Sequence, residues 1–286
     1  MIRILLSVLI CLSFTSIDAK KPEKLAKKWP YAITSDKYLG RMAGTEGGKE
    51  AFEYIKKQIS SMGYKLEIDS FQYKDVTLRN IIVPVGIAKD TVIVVGAHYD
   101  GQFESNSLKK YPAANDNASG VVTVLLLLQK FKSLKKIPQY PILFCFWDGE
   151  EYCYGETFKG SRHFVDKNKK EVRYYINIDT VGHDHDQTNT MSFLYWGEDM
   201  LDKTNEILKS NSFKFRYFIA AKGKGTSDQV PFEDKGIPYM FFYDSPESKH
   251  KECGHDLHSV NDIPEAVSID RLVKLSDLVF NILTKN

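Results

Sequence analysis

Six side chains that can bind metals or carry protons lie where strands should end or helices should begin. They are His98, Asp116, Glu150, Glu151, Asp179 and His258. Imidazole nitrogens and carboxylate oxygens suit divalent ions such as zinc. One bridging carboxylate, two histidines and two further acids would hold a pair of ions and leave one Glu free to act as a base. The set therefore predicts a two-metal hydrolase.

The adjacent pair Glu150-Glu151 is the most informative short motif in the chain. It follows Asp148 and Gly149, directly after the apolar segment 142–147. Two neighbouring carboxylates at the end of a buried strand are costly unless a cation or a proton neutralises them. Adjacent residues cannot face one ion equally well, so we expect one Glu to bind a metal and the other to transfer protons.

His98 and Asp100 end another apolar strand, and residues two apart in a strand share a face. A carboxylate beside a histidine can fix its tautomer and leave the other ring nitrogen for a metal, although ordinary hydrogen bonds would explain this pair alone equally well. Asp116 precedes an apolar helix, where Asp is also a usual N-cap. Its interpretation as a ligand therefore depends on the other residues of the set.

Asp179 ends a third core strand, at the edge of the sheet where ligands collect in open α/β folds. His258 lies in a loop before the last helix, together with His255, and one of these two histidines is surplus. The run 183–186, His-Asp-His-Asp, sits in a polar stretch between strands. We interpret it as a solvated loop rather than as a second metal site.

Hydrophobic patterning predicts strands that alternate with helices. Extended segments are expected at 65–73, 80–85, 91–97, 142–147, 174–179, 191–196 and 239–243, and helices at 22–36, 51–63, 118–131, 158–168, 201–210 and 264–284. This alternation indicates an α/β fold with three α/β/α layers, in which helices cover both faces of a mixed, mostly parallel sheet. We expect residues 20–286 to form a single domain.

The N-terminal residues 1–19 are typical of a secretory signal peptide, with Arg3 before an apolar run and Ala19 at the cleavage point. The protein is therefore predicted to be secreted or periplasmic, without stable membrane association after cleavage. The formal net charge is +2 and the basic residues form no stripe, which argues against nucleic-acid binding. Of the cysteines, Cys145 is expected in the core, and Cys153 and Cys253 could pair. The sequence does not fix the oligomeric state.

The chain resembles the zinc-dependent co-catalytic metallopeptidases, the family of secreted leucyl-type aminopeptidases. The resemblance runs from about Gly40 to the C-terminus and depends on several segments in the same order. These are 41–44, 98–100, 115–120, 148–151, 160–162, 177–179, 227–232, 236–238 and 258–259. The family implies a zinc-peptidase-like fold and peptide substrates that lose one N-terminal residue at a time.

The resemblance also implies a role for each residue of the set. Asp116 would bridge two Zn²⁺ ions, and the peptide bond after it would be cis. Glu151 and His258 would complete one zinc site, and His98 and Asp179 the other. Glu150 would be the general acid and base that activates a metal-bound water, and Asp100 would orient His98.

The glutaminyl cyclases are the main alternative, because they share this fold and cyclise N-terminal glutamine with one zinc. The long segment 152–159, followed by Gly-Ser-Arg-His, resembles theirs. However, cyclases usually carry Trp where this chain has Leu257, and tend to have Asp-Asp-His at 227–229, which is Ser-Asp-Gln here. These differences favour a peptidase.

Two readings remain beside the peptidase and the cyclase. A catalytically inactive scaffold is disfavoured by the full set of ligands and Glu150, and a carboxypeptidase by the absence of extra domains of the kind such relatives usually carry. Residues 240–243, Met-Phe-Phe-Tyr, could line a pocket for an apolar first residue, or be a buried strand.

Overall fold

The computed structural model describes residues 21–104, 109–134, 137–151, 155–183, 189–197, 200–211, 213–219, 226–244 and 257–285. The α-helices are α1 (Lys21–Ile33), α2 (Glu46–Ser61), α3 (Ser119–Lys132), α4 (Lys159–Lys167), α5 (Met200–Lys209), α6 (Gln229–Asp234) and α7 (Ile269–Lys285). The strands are β1 (Glu67–Tyr73), β2 (Val76–Val85), β3 (Thr91–His98), β4 (Phe103–Glu104), β5 (Lys109–Lys110), β6 (Ile142–Trp147), β7 (Glu171–Ile178), β8 (Thr190–Trp196), β9 (Lys214–Ile219) and β10 (Tyr239–Tyr243). Short 3₁₀ helices cover Asp36–Arg41 and Pro264–Ala266, and a π-helical turn covers Ala114–Ala118.

An eight-stranded sheet has the order β1-β2-β6-β3-β7-β10-β8-β9. Its centre is parallel, because β6, β3, β7 and β10 run in one direction as neighbours. Antiparallel pairs join β1 to β2, β2 to β6 and β10 to β8, while β9 runs parallel to β8. The four central strands therefore end at the same edge of the sheet.

Helices cover both faces of this sheet, as the alternation of side chains along its strands requires. In β3, Ile93 and Val95 belong to a core that includes residues of α1, α2, α3 and α7, whereas Val92 and Val94 belong to a second core with residues of α4 and α6. The same alternation holds in β6. The predicted three-layer α/β/α class with a mixed sheet is confirmed.

Among the strands and α-helices, the sequence did not predict β4, β5, β9 and α6, and it placed the starts of β2 and β7 too late. β9 begins with alternating basic and aromatic residues, which do not form the apolar run expected of a core strand. α6 has only six residues, with Pro231 among them, which are too few to show a helical period. β2 begins at Val76 rather than at residue 80, because its first residues are only partly buried.

Some predictions fall at or beyond the described residues. Cys145 is buried and free, as expected for a core cysteine, whereas Cys153, Cys253 and residues 1–19 lie outside the described ranges. No helix within those ranges has the length and apolar composition that a bilayer crossing requires.

Candidate metal centre

The carboxyl ends of three neighbouring strands bring four of the predicted site residues together. His98 is the last residue of β3, Asp179 directly follows β7, and the Glu pair follows β6. The pairing of β3 with β6 continues past the strand ends, because the Tyr99 N–H donates to the Trp147 carbonyl at 2.9 Å. Since these strands are adjacent and parallel, their terminal side chains converge at one edge.

Asp116 reaches the same edge from the turn that precedes α3, and its peptide bond to Asn117 is cis, as the family resemblance implied. The Asn117 side chain ties this turn to β7, because Nδ2 donates to the Ile178 carbonyl at 3.0 Å. Its Oδ1 accepts from the Gly120 N–H at 2.8 Å. A Cβ on Gly120 would lie 2.3 Å from the Ile178 carbonyl oxygen, so only glycine permits this close approach of α3 to the strand.

Five of these residues form two groups that share one carboxylate. We call His98, Asp116 and Asp179 the His98 group, and Asp116, Glu151 and His258 the His258 group. His98 Nε2 lies 3.2 Å from Asp116 Oδ1 and 3.3 Å from Asp179 Oδ1. His258 Nε2 lies 3.1 Å from Asp116 Oδ2 and 3.2 Å from Glu151 Oε2. In each group, one ligand atom per residue lies within 4.8 Å of the others.

Glu150 belongs to neither group but lies beside them. Its Oε2 is 4.0 Å from His98 Nε2, and the side chain is buried. The carboxylate of Asp100 holds the backbone here, since Oδ1 accepts from the Glu150 N–H at 3.1 Å and Oδ2 from the Glu151 N–H at 3.2 Å. His98 Nδ1 lies nearer the Asp100 carbonyl, at 3.3 Å, than its carboxylate, at 3.6 Å. Asp100 therefore contacts His98, Glu150 and Glu151, and these contacts involve backbone groups.

Three supporting contacts were not predicted. Ser227 Oγ donates to Asp179 Oδ2 at 2.7 Å, and Gln102 Nε2 donates to Glu151 Oε2 at 2.6 Å. Asp262 accepts from the backbone N–H of Asp116 at 3.0 Å. Ser227 lies in segment 227–232, which resembles the family, so the sequence could have pointed to it. Nothing in the sequence singled out Gln102 or Asp262.

Acidic groups dominate the electrostatics of this edge. Burial raises the pKa of Glu151 to about 7, and it raises that of Glu150 well above its usual range. Burial alone would lower the pKa of His98, but the charges of Asp179 and Glu150, together with hydrogen bonds to Asp100 and Asp116, outweigh it and raise that pKa well above its ordinary value. Hydrogen bonds to Asp116 and Glu151 raise the pKa of His258 to about 10. The site thus favours positive charge among its carboxylates.

The donor set fits zinc, because each group offers one imidazole nitrogen and two carboxylates. A second observation agrees with this. Glu151 Oε1 is buried and has no hydrogen-bond partner among the described residues, and buried oxygens are normally satisfied. A cation at the His258 group would satisfy that oxygen.

A cavity of about 430 Å³ opens onto the two groups. It is lined by Gln102, Asp116, Glu150, Glu151, Thr157, Phe158, Asp179, Thr180, Thr226, Ser227, Phe241, Tyr243, Asp244, Leu257 and His258. Within β10 only Phe241 and Tyr243 face the cavity, with ring centroids 4.6 Å apart. Met240 and Phe242 belong to the core on the opposite face. Half of segment 240–243 thus lies in the core, and binding of an apolar first residue by the other half stays a prediction.

The His-rich run at 183–186 differs from its prediction at its first residue. His183 is buried, with 4% of its surface exposed, rather than solvated. It follows Gly182, whose carbonyl accepts from the Ser268 N–H just before α7. Residues 184–188 and His255 lie outside the described ranges.

The chain is similar in sequence to known peptidases. The model of the family described as Peptidase family M28 matches residues 80–283. Aminopeptidase YwaD of Bacillus subtilis (strain 168) is 29% identical over 216 residues, which cover 71% of this chain and 43% of that protein. The chain spans less than half of the length of the curated relatives it matches first.

Solved structures show the same fold. The LapA aminopeptidase of Legionella pneumophila aligns with a TM-score of 0.75 at 18% identity, over 91% of this chain and 70% of that one. The glutaminyl cyclase of Porphyromonas gingivalis aligns with a TM-score of 0.76 at 18% identity, over 91% of this chain and 97% of that one. At such identities the likeness establishes the fold and does not choose between the two activities.

Proposed function

Because this chain belongs to peptidase family M28, we propose that it is a zinc-dependent aminopeptidase, which hydrolyses the N-terminal peptide bond of peptides. The observation that carries the proposal is the pair of groups joined by Asp116, with Glu150 beside them. Two ion positions about a shared carboxylate are typical of two-metal hydrolysis. The aminopeptidase names of its relatives support the same activity.

In this proposal the His98 group holds one Zn²⁺ ion and the His258 group holds the other. The two oxygens of Asp116 are directed to different histidines, which suits a carboxylate shared by two ions. When bound, the ions would polarise the scissile carbonyl and make an adjacent water more acidic.

Glu150 is proposed as the general base and then the general acid. Burial raises its pKa well above the usual range of a carboxyl group, which makes its carboxylate a stronger base than an exposed one. It takes one proton from the attacking water and returns that proton to the leaving amine, which balances the reaction. Asp100 keeps Glu150 in place through the hydrogen bond to its backbone N–H.

The remaining cavity wall provides for the substrate. The acids of the site are suited to the positive charge of a free peptide N-terminus, which would restrict cleavage to the first residue. Phe241, Tyr243 and Leu257 offer an apolar surface beside them, so an apolar first side chain would lose unfavourable contact with water there.

Glutaminyl cyclase activity is the second candidate, since a cyclase shares this fold. The hydrogen bond from Ser227 to Asp179 speaks for the peptidase. It satisfies Asp179 Oδ2 without adding a charge, whereas an Asp at position 227, as cyclases tend to have there, would place a second carboxylate beside Asp179. A cyclase that uses one zinc needs only one of the two groups.

The deciding test is a mass-spectrometry assay with zinc and two peptides, one beginning with Leu and one with Gln. Removal of the first residue, slowed about 10²- to 10⁴-fold by Glu150→Gln, is the expected result. The variant should bind as much zinc as the unaltered protein, since Glu150 belongs to neither group. Loss of ammonia from the Gln peptide without shortening would instead establish a cyclase.

We also propose that residues 1–19 direct secretion to the outside of the cell or to the periplasm. The sequence pattern of that segment supports this. N-terminal sequencing of the protein recovered from its native compartment tests it, and a mature chain that begins near Lys20 is expected. A chain that still carries Met1 would contradict it.

A further inference from the structure

Asp262 is a fully buried carboxylate that follows His258 by four residues and contacts the backbone around Asp116. Its Oδ1 accepts from the Asn115 N–H at 2.6 Å, and its Oδ2 accepts from the Asp116 N–H at 3.0 Å. Its backbone carbonyl accepts from the Ala114 N–H at 3.1 Å. One residue thus holds three consecutive N–H groups of the turn that presents the shared carboxylate.

Burying the Asp262 carboxylate costs free energy unless hydrogen bonds compensate for the lost water. Burial raises the pKa of Asp262 to about 6. Among the described residues, the nearby Arg41 makes no hydrogen bond to the Asp262 carboxylate. Instead, Arg41 donates to the carbonyls of Pro112 and Ala113 at 2.8 Å. Arg41 therefore binds carbonyl groups of the turn at 112–116, and Asp262 binds N–H groups of the same turn.

The segment that carries His258 has little other anchorage in the interior. Of residues 257–263, all of which the structure describes, Asp262 alone is buried. The His258 side chain is 47% exposed, and the Asp262 N–H closes a turn back to the Ser259 carbonyl at 3.4 Å. The position of His258 relative to Asp116 thus depends on a short segment in which Asp262, four residues after His258, is the residue held in the interior.

We propose that Asp262 is a positioning residue that holds His258 and Asp116 at the spacing required by a metal ion in the His258 group. The inference rests on the proposed two-zinc function. It assigns to Asp262 no contact with metal or substrate. Its loss should release the ion of the His258 group while the His98 group, anchored on strand ends, keeps its own.

The test compares Asp262→Asn with Asp270→Asn, which makes the same chemical change on the exposed surface of α7, where Asp270 pairs with Lys274. An amide can accept one of the two backbone N–H groups but presents its own N–H₂ to the other. Zinc content is measured at equilibrium in metal-buffered solution. We expect about two ions per chain in the unaltered protein and in Asp270→Asn, and about one in Asp262→Asn, with about 10- to 100-fold weaker affinity for the second ion.

Hydrogen exchange of the unaltered protein during zinc titration gives a readout that needs no variant. Segment 257–263 should gain protection with the second equivalent of zinc, and segment 113–119, which carries the shared Asp116, should gain additional protection at that same equivalent. No additional protection of 113–119 at the equivalent that protects 257–263 would overturn the inference, as would two tightly bound ions in Asp262→Asn. An unaltered protein that binds no zinc would instead overturn the proposed function.

Discussion

The two groups at the sheet edge share Asp116 but are built in different ways. His98 and Asp179 stand at the ends of β3 and β7, with 1% and 6% of their surface exposed. In the His258 group, Glu151 is equally buried, but the side chain of His258 is 47% exposed and comes from a loop. The sheet thus presents one group in a fixed arrangement, while a loop completes the other.

This difference has an energetic consequence for ion binding. Ligands held by a rigid frame lose little conformational freedom when an ion binds, whereas ordering a loop residue costs on the order of 1–2 kcal/mol for its backbone. The His98 group should therefore be the tighter site and the His258 group the weaker one. Variants that remove the shared residue, one residue of each group, or one supporting contact test this order.

The largest effect is expected from Asp116→Ala, because Asp116 is the residue common to both groups. Both ions lose a ligand, so zinc content should fall below about one per chain and hydrolysis of a leucyl peptide should be lost. Elemental analysis of the dialysed protein measures the first and an activity assay the second. A variant that keeps one tightly bound zinc would mean that Asp116 serves a single ion.

The next effect is expected from the pair His98→Ala and His258→Ala, which separates the groups. His258→Ala should retain about one zinc per chain at buffered concentrations that leave His98→Ala with less. Each should lower kcat/KM by about 100-fold or more, since an ion contributes several kcal/mol to the transition state. If His98→Ala keeps more zinc than His258→Ala, the loop-borne group is the tighter site and the comparison is reversed.

Smaller effects are expected from the hydrogen-bond donors that support each group. Ser227→Ala removes the bond to Asp179, and Gln102→Ala removes the bond to Glu151. Each should weaken zinc about 10- to 100-fold at its own group only. Competition with a chromophoric chelator resolves the two affinities, and equal weakening of both ions by either variant would show that the groups do not act separately.

The sequence predicts the parts of this site that the sheet builds. Buried strands leave a strong apolar signal, and His98, Glu150, Glu151 and Asp179 stand where that signal ends. Their convergence then follows from the parallel order of β6, β3 and β7. The fold class was predictable for the same reason, while β9 and α6 lacked a clear period.

The loop-borne parts were less predictable, for a physical reason. Asp262 acts on the site through hydrogen bonds to backbone groups of residues distant in sequence, and so does Asp100, which the sequence singled out only as a partner of His98. Backbone N–H and carbonyl groups are the same at every position, so the side chains that bind them carry no complementary pattern. A single Asp in a polar loop therefore looks like any surface residue until the chain is folded.

The smallest effect on zinc binding is expected at Asp148, a buried carboxylate at the same edge that belongs to neither group. Burial, followed by the charge of Asp100, raises its pKa to about 7, against about 3.9 in an unfolded chain. The folded protein therefore holds this proton more tightly than the unfolded chain does. The stability from this group is full below about pH 4 and is lost as the pH rises through about 7.

Asp148→Asn removes that loss, because an amide cannot ionise and can still accept from the Arg79 N–H, which now lies 2.9 Å from Asp148 Oδ2. Urea unfolding with a chelator should show similar stabilities near pH 4 and a gain on the order of 1–4 kcal/mol for the variant at pH 8. Zinc content should not change. A gain at pH 8 would show that a carboxylate at this edge is costly when no histidine or ion is paired with it. The burial of the acids in the two groups would then depend on the cations they bind. If the free energy of unfolding changed equally with pH in Asp148→Asn and in the unaltered protein, this explanation would be wrong.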